Sequence, residues 1–249
     1  SGAVEHHFDL GEGLRFSHGD WSELKKTKKA AHPTERVETP DWVLEFPAEP
    51  VIPEAALNPS DLGGAKALSG DMGLDENAAK RRGNQIHLLL EKLPNMEACL
   101  WSKLAGPILE HESLIYDDEN LDDIIDEAVK VLQKPDLSFL FGPDTFAEVS
   151  ISALLPERDN RLMNGIIDRL IIAKDEIIIV DYKTNRHVPS HEDEVPEGLM
   201  RQMGAYASAI TQMYPSQRVR PYILWTSTGE LLSLTYLKVI NCLKASSDA

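Results

Sequence analysis

Cysteine is almost missing from these 249 residues, with Cys99 and Cys242 the only two. Two thiols are too few for a disulfide scaffold or for a four-thiolate metal or iron–sulfur site, so no iron–sulfur cluster is expected in this chain. That usage suits a reduced, cytoplasmic environment. Long apolar runs are lacking too. None approaches the roughly 18–20 residues of a membrane span, and no secretory signal pattern is present. There is no Gly-x-x-x-x-Gly-Lys-Ser/Thr phosphate loop, so the chain does not itself run an ATP-driven motor. Positive charge is also scarce: 25 Lys and Arg against 41 Asp and Glu leave a net charge of −16. This excludes a general nucleic-acid coating protein, which would be basic, but not an enzyme that grips nucleic acid locally through a metal ion. Much of the acid lies in DDENLDDIIDE (Asp117–Glu127). It reads as the solvated face and first turn of a helix, where acids suit the helix dipole.

What remains is ordinary for a globular protein. An apolar content of 42% supports a real core, and the length suits one substantial domain with an appendage, or two small ones. The chain opens on Ser-Gly-Ala without a Met, which reads as an excised domain. Prolines at 33, 40, 47, 50, 53 and 59 suggest an extended linker, or a strap laid over another domain. Residues 1–77 are therefore expected to be an extended Pro-rich segment and 78–249 the folded domain. Within the latter, periodicity predicts helices over 78–92 (stopping at Pro94), 119–134 and 195–213. Strands are predicted over 145–153, 161–172, 177–183, 218–226 and 230–236. Helices, then a meander, a helix and two closing strands make an α/β domain.

The informative stretch is RLMNGIIDRLIIAKDEIIIVDYK (Arg161–Lys183). Two apolar runs flank Ala-Lys-Asp-Glu, which suits a short hairpin turn. With Lys174 and Asp175 at the tip, Ile172 faces Ile177, Leu170 faces Ile179 and Asp168 faces Asp181. Residues opposite each other share a face, with Cβ atoms roughly 4.5–5.5 Å apart, and Lys183 lies on that face two residues further on. Facing like charges destabilise a sheet unless something positive lies between them, and a hard divalent cation such as Mg²⁺ meets that need. The plainer alternatives are a register shifted by one, or an ordinary salt bridge from one acid to Arg169 or Lys183.

Other elements converge on the same place. His87 follows Gly83 by four residues, so the imidazole lies over a position without a side chain; neutral His is a competent ligand, though a lone His on an amphipathic helix is more commonly structural. Gln202 and Tyr206 are also four apart on one helical face, an arrangement common on surfaces. Glu148 sits in a strand-like run just before the hairpin, either as a third site carboxylate or as an edge-strand charge. The Tyr182 side chain points away from the acids, so its backbone is the part that counts.

GNQIH (Gly83–His87), AEVSI (Ala147–Ile151), GIIDRL (Gly165–Leu170), VDYKT (Val180–Thr184) and QMGAY (Gln202–Tyr206), in that order, resemble the RecB-like branch of the PD-(D/E)XK nucleases. LNPSDL (Leu57–Leu62) adds a likeness to the C-terminal nuclease domains of AddA-type helicase–nucleases. The resemblance implies a restriction-endonuclease-like α/β core with a mixed central sheet flanked by helices. It implies Mg²⁺-dependent DNA cleavage, with Mn²⁺ able to substitute. His87, Asp168, Asp181 and the carbonyl of Tyr182 would be metal ligands, Lys183 would orient or activate the attacking water, and Glu148 would be an accessory acid. Gln202 and Tyr206 would shape the site and place DNA. It further implies a bacterial role in double-strand-break repair, an upstream ATP-dependent helicase feeding single-stranded DNA, and an AddB-type partner subunit. The alternative is a nuclease fold without catalysis that binds DNA or a partner subunit.

Overall fold

The expected hairpin is present. In the computed structural model, which describes residues 3–8, 11–16, 55–64, 76–116 and 120–245, β4 (Arg161–Ile172) and β5 (Glu176–Lys183) are antiparallel and paired from Arg169↔Val180 to Ile172↔Ile177. The tip closes with Ala173 N–H donating to the Glu176 carbonyl at 3.0 Å. The register is the one that the placement of Lys174 and Asp175 at the tip predicts. β3 (Thr145–Leu155) flanks β4 antiparallel, β6 (Arg218–Trp225) runs parallel to β5, and β7 (Glu230–Ser233) closes the far edge antiparallel. The sheet is therefore mixed, in the order β3-β4-β5-β6-β7.

From Ile177 to Val180 β5 is apolar because both its faces are covered. Ile177 and Ile179 face one core, made with α4 (Glu197–Met213) and α5 (Tyr236–Lys244). Ile178, Val180 and Tyr182 face a second core, made with α1 (Glu76–Lys92), α2 (Trp101–His111) and α3 (Leu121–Gln133). In α1 the buried residues Ile86, Leu89, Leu90 and the following Leu93 trace one helical stripe. In α3 the acids Asp122 and Asp123 occupy the first turn, where the helix dipole favours them. α4 is buried without a break from Gly198 to Ile210, since the sheet and α5 hold it from two sides.

Two helices depart from the sequence-based expectation. α2 lies where no helix is predicted. Pro107 stands inside it, and proline removes an interior hydrogen bond; burial of Ala105 and Leu109 outweighs that cost. α5 replaces the end of a strand predicted to reach residue 236. β7 stops at Ser233, and Val239, Ile240 and Leu243 are buried at helical spacing instead. Thr235 starts that turn, with Glu192 accepting from its N–H at 2.7 Å and its hydroxyl at 3.0 Å.

The chain divides into two units, Ser1–Val51 and Ile52–Ala249. In the first, β1 (Ala3–Phe8) and β2 (Gly11–Phe16) form an antiparallel hairpin, which proline spacing does not anticipate. Most of the Pro-rich stretch lies outside the described residues, but Ala55–Gly64 belongs to the second unit and packs beside β4. No helix among the described residues is long and apolar enough to cross a membrane.

α4 and α5 approach so closely that a Cβ on Gly204 would overlap the Val239 carbonyl oxygen. Gly204→Ala is therefore expected to lose about 1–3 kcal/mol in urea unfolding. At Gly83 a Cβ would meet nothing nearer than Thr184 Oγ1 at 3.9 Å, so Gly83→Ala is expected to gain up to about 1 kcal/mol of helix stability in the same measurement.

Candidate active site

β4 pairs with β3 from Arg161 to Ile171, missing only Asp168, but with β5 over four residues only. Past Arg169↔Val180 the two strands separate. Asp168 and Asp181 occupy the next position of the same register, at the mouth of the fork. The backbone pairing that would join them is absent; instead the Tyr182 N–H donates to Asp168 Oδ2 at 2.5 Å. A hydrogen bond to a charged group of this kind contributes about 1.5–3 kcal/mol. Both acids are buried, and they line one cleft of about 810 Å³ with His87, Lys183, Gln202 and Tyr206.

Opening the sheet lets helices from both of its faces reach the same point. From α1, His87 Nδ1 lies 3.3 Å from Asp168 Oδ1. From α4, the Gln202 side-chain amide donates to Asp181 Oδ1 at 2.6 Å. Lys183 Nζ takes the other Asp181 oxygen at 2.5 Å. The plain salt bridge weighed as an alternative for Lys183 is therefore present, whereas Arg169 pairs with neither acid. Tyr206 is buried and lines the same cleft.

Glu148 is the strained member. It lies opposite Asp168 on β3, where the β3–β4 ladder skips one pair, and its φ is +50°. For a residue with a side chain that conformation costs of order 1–3 kcal/mol. The result is a cluster: His87, Glu148 and Asp168 offer ligand atoms all within 4.8 Å of one another. Asp181 is outside that trio, and its oxygens contact Lys183 and Gln202.

Charge is distributed unevenly between the facing acids. Burial works to raise the Asp168 pKa, but His87, Lys183 and the Tyr182 N–H together hold it below the ordinary value. Burial and the neighbouring Asp168 push Asp181 up despite Lys183. Burial, then Asp168, also raises Glu148. For His87 and Lys183, burial pulls the other way, yet the acids win and both pKa values are raised. The site therefore retains an excess of negative potential. Its donor set is hard carboxylate oxygen with one imidazole, which fits Mg²⁺ or Mn²⁺.

Three positioning features are not apparent from the sequence. Arg169 is buried and bolts the fork to α1: its Nε donates to the Tyr182 hydroxyl at 3.0 Å and its Nη2 to the Leu90 carbonyl at 2.6 Å. This holds the Tyr182 ring on the α1 side, edge-on to His87 with centroids 5.4 Å apart. Gly165 is a close-approach glycine, since a Cβ would lie 2.7 Å from Pro59 and 2.9 Å from Tyr206. Asn58 and Ser60 line the cleft from the segment before α1. Arg169 and Gly165 both stand in GIIDRL, where the spacing marks them but does not reveal their partners.

Comparison with known proteins points to the superfamily that the motifs resemble. The A-subunit of an ATP-dependent helicase/nuclease from Streptococcus equi subsp. zooepidemicus (strain MGCS10565) is 27% identical over 160 residues, which cover 60% of this chain and 12% of that protein. A protein of the same name from Ligilactobacillus salivarius (strain UCC118) is 32% identical over 146 residues, 53% of this chain and again 12% of its own length. The chain thus spans a small part of these curated relatives. A solved structure from Eubacterium rectale aligns over 68% of this chain and 64% of its own, with 11% identity and a TM-score of 0.44, too loose a likeness to carry an argument. The family described as PD-(D/E)XK nuclease superfamily matches residues 63–239, and the chain belongs to that superfamily.

Proposed function

We propose that this domain is a divalent-metal-dependent deoxyribonuclease, using Mg²⁺ and acting on single-stranded DNA. The observation that carries the reading is the fork itself, which gathers two buried aspartates, Lys183 and His87 in one cleft, with Glu148 in ligand reach of His87 and Asp168. His87, Glu148 and Asp168 supply the donors for the cation, with Asp181 and the Tyr182 carbonyl completing the set. When bound, the cation polarises a phosphoryl oxygen and acidifies a water. Asp181 holds Lys183 in place through the 2.5 Å contact, and the Lys183 ammonium offsets charge that builds on the scissile phosphate. Gln202 fixes the orientation of Asp181, and Tyr206 lines the cleft one helical turn further along α4. Burial keeps these dipoles in a low dielectric, where each acts more strongly than in water.

A single strand is the substrate that the resemblance to RecB-like nucleases implies. The names of the curated relatives support a larger setting in which residues 1–77 lead from an upstream ATP-dependent helicase into the nuclease domain. In that setting the partner is an AddB-type subunit, the site of action is the bacterial cytoplasm, and the role is processing of double-strand breaks. The alternative, a non-catalytic module that binds nucleic acid or a partner subunit, is disfavoured by the intact acid–acid–lysine set.

Cleavage of a labelled oligonucleotide tests both readings. Wild-type chain is expected to cut single-stranded DNA with Mg²⁺ and to stop in EDTA. Asp181→Asn and Lys183→Ala are each expected to lose at least about 10²–10³ in rate while keeping the circular dichroism of the folded domain. Undiminished cutting by either variant would sink the catalytic assignment. Metal-independent binding without cutting would favour the module. Tyr182→Phe is expected to cleave at close to the wild-type rate, because the backbone of this residue contacts the site; its lost bond to Arg169 should lower stability by about 1 kcal/mol in chemical denaturation.

A further inference from the structure

Ala55–Gly64 is tied to the nuclease core at several points. Leu57 bridges to Met163 in parallel, its N–H donating to the Leu162 carbonyl at 2.7 Å and its carbonyl accepting from Asn164 N–H at 3.0 Å. It thereby takes the edge of β4 that β5 has left. Arg201, buried in α4, donates to the Leu62 carbonyl at 3.3 Å, and Arg161 to the Ala55 carbonyl at 3.3 Å. Pro59 is buried in the space that Gly165 leaves open. The segment is thus a built wall of the cleft, on the side away from α1.

The chemistry of that wall differs from that of the acids. Among the described residues, the cleft lining carries no cationic side chain beyond His87 and Lys183, and its polar groups there are Asn58, Ser60, Ser150, Ser152 and Asn164. Asn58 uses its side-chain oxygen to cap the Ser60 N–H at 3.2 Å, which leaves its amide nitrogen as a donor. Ser150, Ser152 and Asn164 are exposed and belong to the paired strands β3 and β4, where Ser152 faces Asn164.

We propose that the outer cleft is an uncharged subsite for one nucleic-acid strand, in which Asn58 and Ser60 on one side and Ser150, Ser152 and Asn164 on the other hydrogen-bond its sugar–phosphate backbone. The inference rests on the nuclease reading and names residues outside the catalytic set. Neutral donors let this cleft, in a chain of net charge −16, hold a polyanion with no cationic lining beyond His87 and Lys183 among the described residues. They also predict a weak dependence on salt, because few counterions are released.

The test is fluorescence anisotropy of a labelled oligodeoxythymidylate with the full 249-residue chain in Ca²⁺, varying NaCl. The slope of log K against log salt is expected to be no steeper than about −1.4, the value for two neutralised phosphates on a single strand. Asn58→Asp keeps an oxygen for the Ser60 N–H but replaces the amide donor with a negative charge; binding is expected to weaken roughly tenfold or more. Asn164→Ala, at an exposed position, is expected to weaken binding roughly two- to tenfold. Wild-type affinity in Asn58→Asp, or a steep salt slope, overturns the proposal, as does a chain that binds no oligonucleotide. A chain that binds with this pattern but cuts nothing in Mg²⁺ overturns the nuclease reading and leaves the subsite standing.

Discussion

The separation of β4 from β5, stabilised by Asp168 accepting the Tyr182 N–H, is the constraint on which this structure turns. Had the ladder continued by one pair, the strands would have met through their backbones and closed the sheet. Instead a carboxylate occupies the place of a backbone acceptor, so the Tyr182 N–H is satisfied while the sheet opens. An unpaired buried N–H costs about 1–3 kcal/mol, and Asp168 removes that penalty at the point where the cleft begins. The same residue is thereby both a structural acceptor and a site acid.

Opening the sheet at its centre explains why the site draws on both layers. α1 and α4 lie over different cores, yet His87 and Gln202 reach neighbouring acids because the fork leaves a passage between them. β5 acts as the rail, apolar on both faces up to Val180 and polar beyond it. Arg169 keeps the passage in register by joining β4, Tyr182 and the Leu90 carbonyl of α1. Gly165 lets Pro59 and Tyr206 close in from the other side.

Electrostatic asymmetry follows from these placements. Asp168 is held down because His87, Lys183 and a backbone N–H outweigh its burial. Asp181 is held up because burial and Asp168 outweigh its close lysine. Two carboxylates driven in opposite directions are a hallmark of sites that divide charge-holding from proton-handling roles. Strain at Glu148, with φ of +50°, brings a third carboxylate to His87 and Asp168, and persists because the flanking β3–β4 pairs determine the backbone on both sides.

Local pattern was enough for much of this. Strand period and turn composition place the hairpin and its register within residues 161–183, since both depend on neighbours in sequence. The order of the five motifs identifies the family for the same reason. Other features depend on contacts between distant segments. The β4–β5 ladder ends where Asp168 competes for a backbone donor, which strand periodicity does not encode. α2 forms despite Pro107, and α5 replaces a predicted strand end, because burial in the two cores outweighs local preference. Arg169 looked available to an acid but bonds Tyr182 and Leu90 across the fold. Asn58 and Ser60, within LNPSDL, enter the cleft only because Leu57 pairs with Met163 more than a hundred residues later. Sequence alone determined which side chains are candidates for the chemistry; tertiary structure decided their partners, because a hydrogen bond is settled by whichever donor and acceptor arrive together.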